Sequence, residues 1–118
     1  MYNKFTCEVN GERGDGLDIE YKNKSIEKVC TNAQEATKRH GSRMAEKIHQ
    51  RIDEISAADT VEEMIRFRIG RCHALTENRS GEYAVDLVHP YRLVFTKKGD
   101  KVQIAIIQEI VDYHWWLI

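Results

Sequence analysis

The sequence is poor in proline and cysteine and contains no long apolar run. It has one proline and three cysteines, and no pair of cysteines has the CxxC spacing of a zinc or redox site. It has no apolar run near the roughly 18 residues that a membrane helix needs, and no apolar signal-peptide core at its N-terminus. Glycine-rich phosphate loops and the HExxH and GxSxG signatures are absent. We therefore expect a cytoplasmic protein with reduced thiols, no membrane partner, and no metal or cofactor.

The composition is that of an ordinary globular domain. The 118 residues are 42% hydrophobic and 31% charged, enough for one modest core. Residues 1–16 are polar and contain three glycines in turn-forming surroundings. We interpret residues 1–16 as an accessory N-terminal extension and residues 17–118 as a single domain.

Charge is unevenly distributed although the formal net charge is only −1. Residues 1–20 carry five acidic and two basic side chains, whereas the segment from Arg66 to Arg79 has a single acid among its arginines. A local basic patch in a near-neutral protein favours a polyanionic partner, and a solvated surface is the ordinary alternative. The arginines of this segment are Arg66, Arg68, Arg71 and Arg79.

Hydrophobic periodicity predicts a strand, then helices, then a β-meander. Residues 17–21 alternate as a strand does, and a helix capped by Asn23 or Ser25 is predicted to break and restart at Asn32. A long amphipathic helix is predicted over about 42–57, with His49 solvated on its polar side, and Thr60 opens a short helical turn. Strands are predicted over 72–75, 83–88, 92–96 and 102–111, the last buried on both faces. This order predicts an α+β domain with the N-terminal strand and helices packed on one face of a mainly antiparallel sheet.

The meander carries residues suited to cutting a phosphodiester. Metal-free cleavage of RNA needs a base, an acid and cations around the phosphate, and His73, Arg92 and the run 112–114 offer these side chains. Each also has an ordinary structural interpretation. His73 can be a structural histidine, and Arg92 can pair with Asp86 or Glu82 across a hairpin. The aromatic side chains after residue 112 can simply cover the sheet edge.

Four motifs follow one another along the chain: Arg71-Cys72-His73-x-Leu75, Arg79-Ser80-Gly81-Glu82-Tyr83-Ala84-Val85-Asp86-Leu87, His89-Pro90-Tyr91-Arg92-Leu93-Val94-Phe95 and Asp112-Tyr113-His114. In this order they resemble the HigB-type toxins, the plasmid-maintenance killer proteins of the RelE/ParE superfamily. The resemblance covers about residues 17–114. It implies a RelE/ParE toxin-like fold and a ribosome-dependent endoribonuclease that cuts mRNA, neutralised by a HigA-like antitoxin.

The resemblance also implies roles for individual residues. His73 and His114 would share proton transfer, Asp112 would assist them, Arg92 would stabilise the phosphate and Tyr113 would contact the substrate. Attack by the 2′-hydroxyl would leave a cyclic phosphate and a free 5′-hydroxyl, without a metal. The basic segment would then face ribosomal RNA through Arg66, Arg68, Arg71 and Arg79.

One position departs from the family pattern. The family often has a lysine three residues after the histidine equivalent to His73, where this chain has Thr76, and Arg79 is a candidate to compensate. Two alternatives therefore stay open. One is a ParE-like protein that inhibits DNA gyrase without enzymatic activity, and the other is a degenerate toxin fold that serves as a binding module.

Overall fold

The computed structural model describes residues 17–112, so the predictions for residues 1–16, Tyr113, His114 and the 115–118 tail lie outside the described residues. Two 3-10 turns, at Ile69–Arg71 and Glu77–Arg79, flank the first strand of the meander. The elements run in the order β1 (Asp18–Tyr21), α1 (Lys24–Thr31), α2 (Ala33–His40), α3 (Ser42–Ala57), α4 (Val61–Arg66), β2 (His73–Ala74), β3 (Glu82–Asp86), β4 (Tyr91–Lys98) and β5 (Ile104–Asp112).

Three helices begin at the capping residues that the sequence predicts. The side-chain oxygens of Asn23, Asn32 and Thr60 each accept a hydrogen bond from the backbone amide three residues later, at 3.0, 3.1 and 3.1 Å. These bonds satisfy amides that have no partner within the first helical turn. The predicted break at Asn32 is thus confirmed, since this residue ends α1 and caps α2.

Within residues 17–112 the sheet has five strands, in the order β1-β5-β4-β3-β2. Strand β1 pairs in parallel with β5, and the other three pairings are antiparallel. The predicted α+β architecture is confirmed, with a mainly antiparallel sheet and the helices on one face. Strand β2 is shorter than predicted, because only His73 and Ala74 pair with β3.

The main core lies between the helices and one face of the sheet, here called the helix-covered face. Helix residues such as Ile48 and Ile55 pack there with Phe95 of β4 and Ile107 of β5, and all four are fully buried. The prediction that the last strand is buried on both faces is wrong. Its Ile107 is buried, whereas its neighbour Ile106 on the other face is partly exposed.

A buried amide ties the meander to the start of α4. Gln103 accepts a hydrogen bond from the Val61 amide at 2.8 Å and donates to the Glu62 carboxylate at 2.9 Å. The hydrogen bond from Gln103, followed by one from Lys97, lowers the pKa of Glu62 to about 2. Within residues 17–112, no helix combines the length and apolar character needed to cross a bilayer.

His49 differs from its prediction. The side chain is half-buried, and its Nε2 donates to the Val29 carbonyl oxygen at 3.2 Å. The residue follows Ile48 on α3 and reaches α1, so it joins two helices instead of facing solvent. Periodicity placed it on the polar side of α3 because that pattern cannot show that α1 packs there.

Candidate functional site

The face of the sheet opposite the helices, here called the second face, gathers the polar residues of the meander. His73 pairs with Ala84 and Ala84 with Val94, while Asp86 pairs with Arg92. Because side chains alternate between the two faces along each strand, all five project from the same face. The described residues of the small apolar cluster on this face come only from strands and loops: Ala84, Val94, Leu75 and Val111.

Asp86 lies between two arginines. Arg92 Nε is 3.1 Å from Asp86 Oδ1, and Arg71 Nε is 3.0 Å from Asp86 Oδ2. We call this group the Arg71–Asp86–Arg92 cluster. The Arg92 side chain is 19% exposed and that of Arg71 is 78% exposed. Two guanidinium groups on one carboxylate leave the cluster with a net positive charge.

The two oxygens of Asp86 are in different environments. Oδ1 is buried and has no well-formed hydrogen bond from any described side chain, although Arg92 Nε lies 3.1 Å away. The two observations agree if the contact is a charge–charge attraction at an angle that is poor for hydrogen bonding. Asp86 is therefore paired in charge but incompletely satisfied in hydrogen bonding.

His73 is connected to this cluster through Arg71. Its Nδ1 donates to the Arg71 carbonyl oxygen at 2.9 Å. In a neutral imidazole one nitrogen donates and the other accepts, so this bond leaves Nε2 as the basic nitrogen. His73 is aligned with Val94, two strands away, and Arg92 lies two residues from Val94 along β4. The Cα atoms of His73 and Arg92 are therefore about 12 Å apart. The two side chains can act on one group only if it lies between them.

An unusual backbone presents Arg71. Arg68, Gly70 and Arg71 have positive φ angles of 55°, 60° and 57°. This conformation costs roughly 1–2 kcal/mol for a residue other than glycine. A Cβ atom at Gly70 would come within 2.9 Å of the Arg51 side chain, so a larger residue there would have to displace the Arg51 guanidinium. The segment is bent sharply against α3, which turns Arg71 toward Asp86.

Arg51 is the site residue that the sequence does not reveal. It lies on α3, and its side chain is largely buried. Its Nε donates to the Asp86 carbonyl oxygen at 2.6 Å, and its Nη1 donates to Glu54 at 2.9 Å. Arg51 thus fixes the backbone of Asp86 from the opposite side of the sheet. Only the proximity of α3 to the end of β3 shows this role.

The structure places Arg79 differently from the other arginines of the basic segment. Its guanidinium donates to Glu82 of β3 and to Glu109 of β5, and these hydrogen bonds raise its pKa above the ordinary arginine value. The side chain therefore links two strands across β4 and has its charge neutralised by two carboxylates.

Arg66 and Arg68 are exposed at the end of α4. Between them lies Phe67, whose side chain is 61% exposed, and the Arg66 guanidinium is 5.2 Å from the centre of that ring. An exposed ring between two arginines can stack on an unpaired base while the cations contact phosphates. Their predicted role in RNA binding stays a prediction.

Asp112 is separated from Arg92 by the alternation of the strands. It lies opposite Tyr91 on β4, one residue before Arg92, and is exposed. The two side chains consequently leave the sheet on opposite faces. The structure links His73 to Arg71 through the Arg71 carbonyl, and Arg71 to Arg92 through Asp86. Asp112 lies on the opposite face from Arg92, and Tyr113 and His114 lie outside the described residues.

The two described cysteines, Cys30 and Cys72, are free thiols and are buried. Burial raises the pKa of both Cys30 and Cys72 to about 12, so neither is a thiolate near neutral pH. In the described part of the chain, no three histidine, cysteine, aspartate or glutamate side chains are gathered so that they could hold a metal ion.

This fold also occurs among proteins of known structure. No protein-family model and no curated protein matches the chain. Among solved structures, the fold is similar to the YoeB/ParE toxin from Agrobacterium tumefaciens, with a TM-score of 0.54 and 17% identity over 83% of this chain and 100% of that one. The chain has the fold of a YoeB/ParE toxin. The YoeB dimer from Staphylococcus aureus is also similar, with a TM-score of 0.44 and 20% identity over 76% of this chain and 91% of that one.

Proposed function

We propose that this chain is a HigB-type toxin of a type II toxin–antitoxin system, a ribosome-dependent endoribonuclease that cuts mRNA and stops translation. A HigA-like antitoxin protein neutralises it. The observation that carries the proposal is the joining of His73, Arg71 and Arg92 on the second face of a YoeB/ParE-type fold. These residues supply a base and two permanent cations, and metal-free cleavage also needs an acid at the leaving oxygen.

Each group has a defined task in this reaction. Arg92 and Arg71 bind the scissile phosphate and stabilise the charge that it gains as the 2′-hydroxyl attacks. His73 Nε2 is the basic nitrogen and exchanges a proton with the substrate while Nδ1 holds the ring on the Arg71 carbonyl. His114 and Tyr113 complete the proposed site, with His114 as the second proton-transfer group. Asp112 lies on the opposite face from Arg92, so we assign it no contact with the scissile phosphate.

The basic segment guides the RNA strand to this site. Arg66 and Arg68 contact phosphates of mRNA or ribosomal RNA, and Arg71 leads from them to the scissile phosphate. Such contacts release counterions, so binding should weaken steeply with salt. Arg79 belongs to this segment in the sequence, and we assign it a supporting role because two carboxylates hold it.

The test is induction of the protein in a bacterial host, following growth and mRNA 5′ ends. The wild type should arrest growth and create new cuts at in-frame positions. An Arg92→Ala, His114→Ala double variant should lose both effects, since removing one charge-stabilising group alone typically costs about 10²–10³ in rate. Arg43→Ala, which removes an exposed arginine on α3, is the matched control and should remain toxic.

The outcomes separate the alternatives. Arrest by both the wild type and the double variant, without mRNA cuts but with a DNA-damage response, would point to a ParE-like inhibitor of gyrase. Absence of arrest from the wild type would point to a binding module. Circular dichroism of the purified variants confirms that a loss of toxicity is not a loss of folding.

A further inference from the structure

We propose that Asp86 occupies the phosphate site of the free protein, as an internal anion that holds Arg71 and Arg92 in place and competes with the RNA phosphate. This inference rests on the proposed function, in which those two arginines bind the scissile phosphate. Asp86 is then a positioning residue that also sets how tightly the site binds a single phosphate.

The geometry of the cluster supports an anion site with an occupant already in it. Each carboxylate oxygen of Asp86 faces the Nε of a different arginine, at 3.1 Å for Arg92 and 3.0 Å for Arg71. A phosphate presents oxygens to guanidinium groups in the same manner. Arg51 holds the Asp86 carbonyl from behind, which fixes the backbone from which the carboxylate projects toward the two arginines.

The two arginines differ in how readily they can turn to a ligand. The Arg71 side chain is 78% exposed and has only one charged partner among the described residues, whereas that of Arg92 is 19% exposed. A solvated ion pair of this kind is weak, so Arg71 can exchange Asp86 for a phosphate at small cost. Arg92 is less exposed, so it stabilises the bound phosphate while its Nε stays beside Asp86 Oδ1.

The competition has a consequence for specificity. A lone phosphate must overcome repulsion from Asp86 to reach the arginines. An RNA strand can offset that repulsion with further contacts, such as those of Arg66 and Arg68. Asp86 thus disfavours small phosphates that lack such additional contacts.

The experiment is a titration of the purified full-length protein with inorganic phosphate and with pyrophosphate, following arginine Nε–H signals by NMR. Asp86→Asn removes the competing charge and keeps the side-chain shape. We expect it to bind both ligands about three- to tenfold more tightly than the wild type, the size expected for one weak ion pair. Asp53→Asn, an exposed change of the same charge on α3, should alter affinity less than about twofold, because salt screens distant charges.

Several outcomes would overturn the proposal. If Asp86→Asn binds phosphate no more tightly than Asp53→Asn, Asp86 does not compete for the site. If it binds more weakly than the wild type, Asp86 only supports the arginines. Should Asp86→Asn fail to fold, the wild type still decides, because phosphate must shift the Nε–H signal of Arg71 while that of Arg51 stays unchanged.

This titration is independent of the test of toxicity. Tighter phosphate binding by Asp86→Asn together with a non-toxic wild type would retain the anion site and reject the toxin function. A toxic wild type with no change in phosphate binding would retain the function and reject the role of Asp86.

Discussion

The two faces of the sheet differ in the side chains that they carry. On the helix-covered face, Leu93, Phe95 and Ile107 are fully buried among helix residues. On the second face, the same strands carry Asp86, Arg92 and Glu109, each in contact with an arginine or a carboxylate. Apolar burial is therefore concentrated on one face, and charge pairing organises the other.

The two faces should therefore differ in how well they tolerate substitutions. The helix-covered face is stabilised by close apolar packing, so each buried atom that is removed lowers the free energy of unfolding. The second face is held by contacts that a ligand of the right charge can replace. The proposed polyanion site accordingly lies on the face whose contacts are exchangeable.

Adjacent isoleucines on β5 give the largest contrast between the faces. Ile107→Ala removes a fully buried side chain and should lower the free energy of unfolding by about 3–4 kcal/mol. Ile106→Ala, on the second face and only partly buried, should cost about 1 kcal/mol. Urea denaturation measures both, and equal losses would show that the two faces are equally important to stability.

Arg79 provides an intermediate effect that separates a structural role from RNA binding. Arg79→Gln breaks the links to Glu82 and Glu109 and should cost about 1–2 kcal/mol at low salt. The loss should shrink at high salt, because screening weakens the lost pairs. Arg43→Gln is the control and should change stability by less than about 0.5 kcal/mol. Unchanged stability with reduced RNA binding would instead assign Arg79 to the ligand.

Glu62 gives the smallest effect, and it depends on pH. Its folded pKa of about 2 lies below the ordinary 4.5, so its contribution to stability is present above 4.5 and is lost as the pH falls toward about 2. Because the side chain is 61% exposed, this contribution should be below about 1 kcal/mol. Glu62→Gln should therefore be less stable than the wild type at neutral pH, with the gap closing in acid. Glu46→Gln, an exposed change on α3, should show no such gap.

Local signals predict much of the fold. The capping residues Asn23, Asn32 and Thr60 were found because they act on amides only three residues away. The 42–57 helix was found because its apolar side chains repeat with the helical period. Both signals are contained in short stretches of sequence, and no distant contact is needed to read them.

Part of the site was also accessible from the sequence. The basic segment and His73 were identified by residue type, and a pairing of Arg92 with Asp86 was one of the two cross-hairpin interpretations. The second arginine on Asp86 was not predicted, because Arg71 reaches it through a backbone with positive φ angles. Periodicity contains no information about such a bend.

The element types, the helix starts and the presence of a basic segment can be predicted from the sequence, since these depend on propensity, periodicity and composition. Which charged side chains form ion pairs depends on the tertiary structure. Arg51 reaches the Asp86 backbone from α3, and Arg79 is held between two strands, through contacts 35 and 30 residues apart in the chain. An ion pair depends on distances of a few ångströms between side chains, and the packing of helices and strands sets those distances.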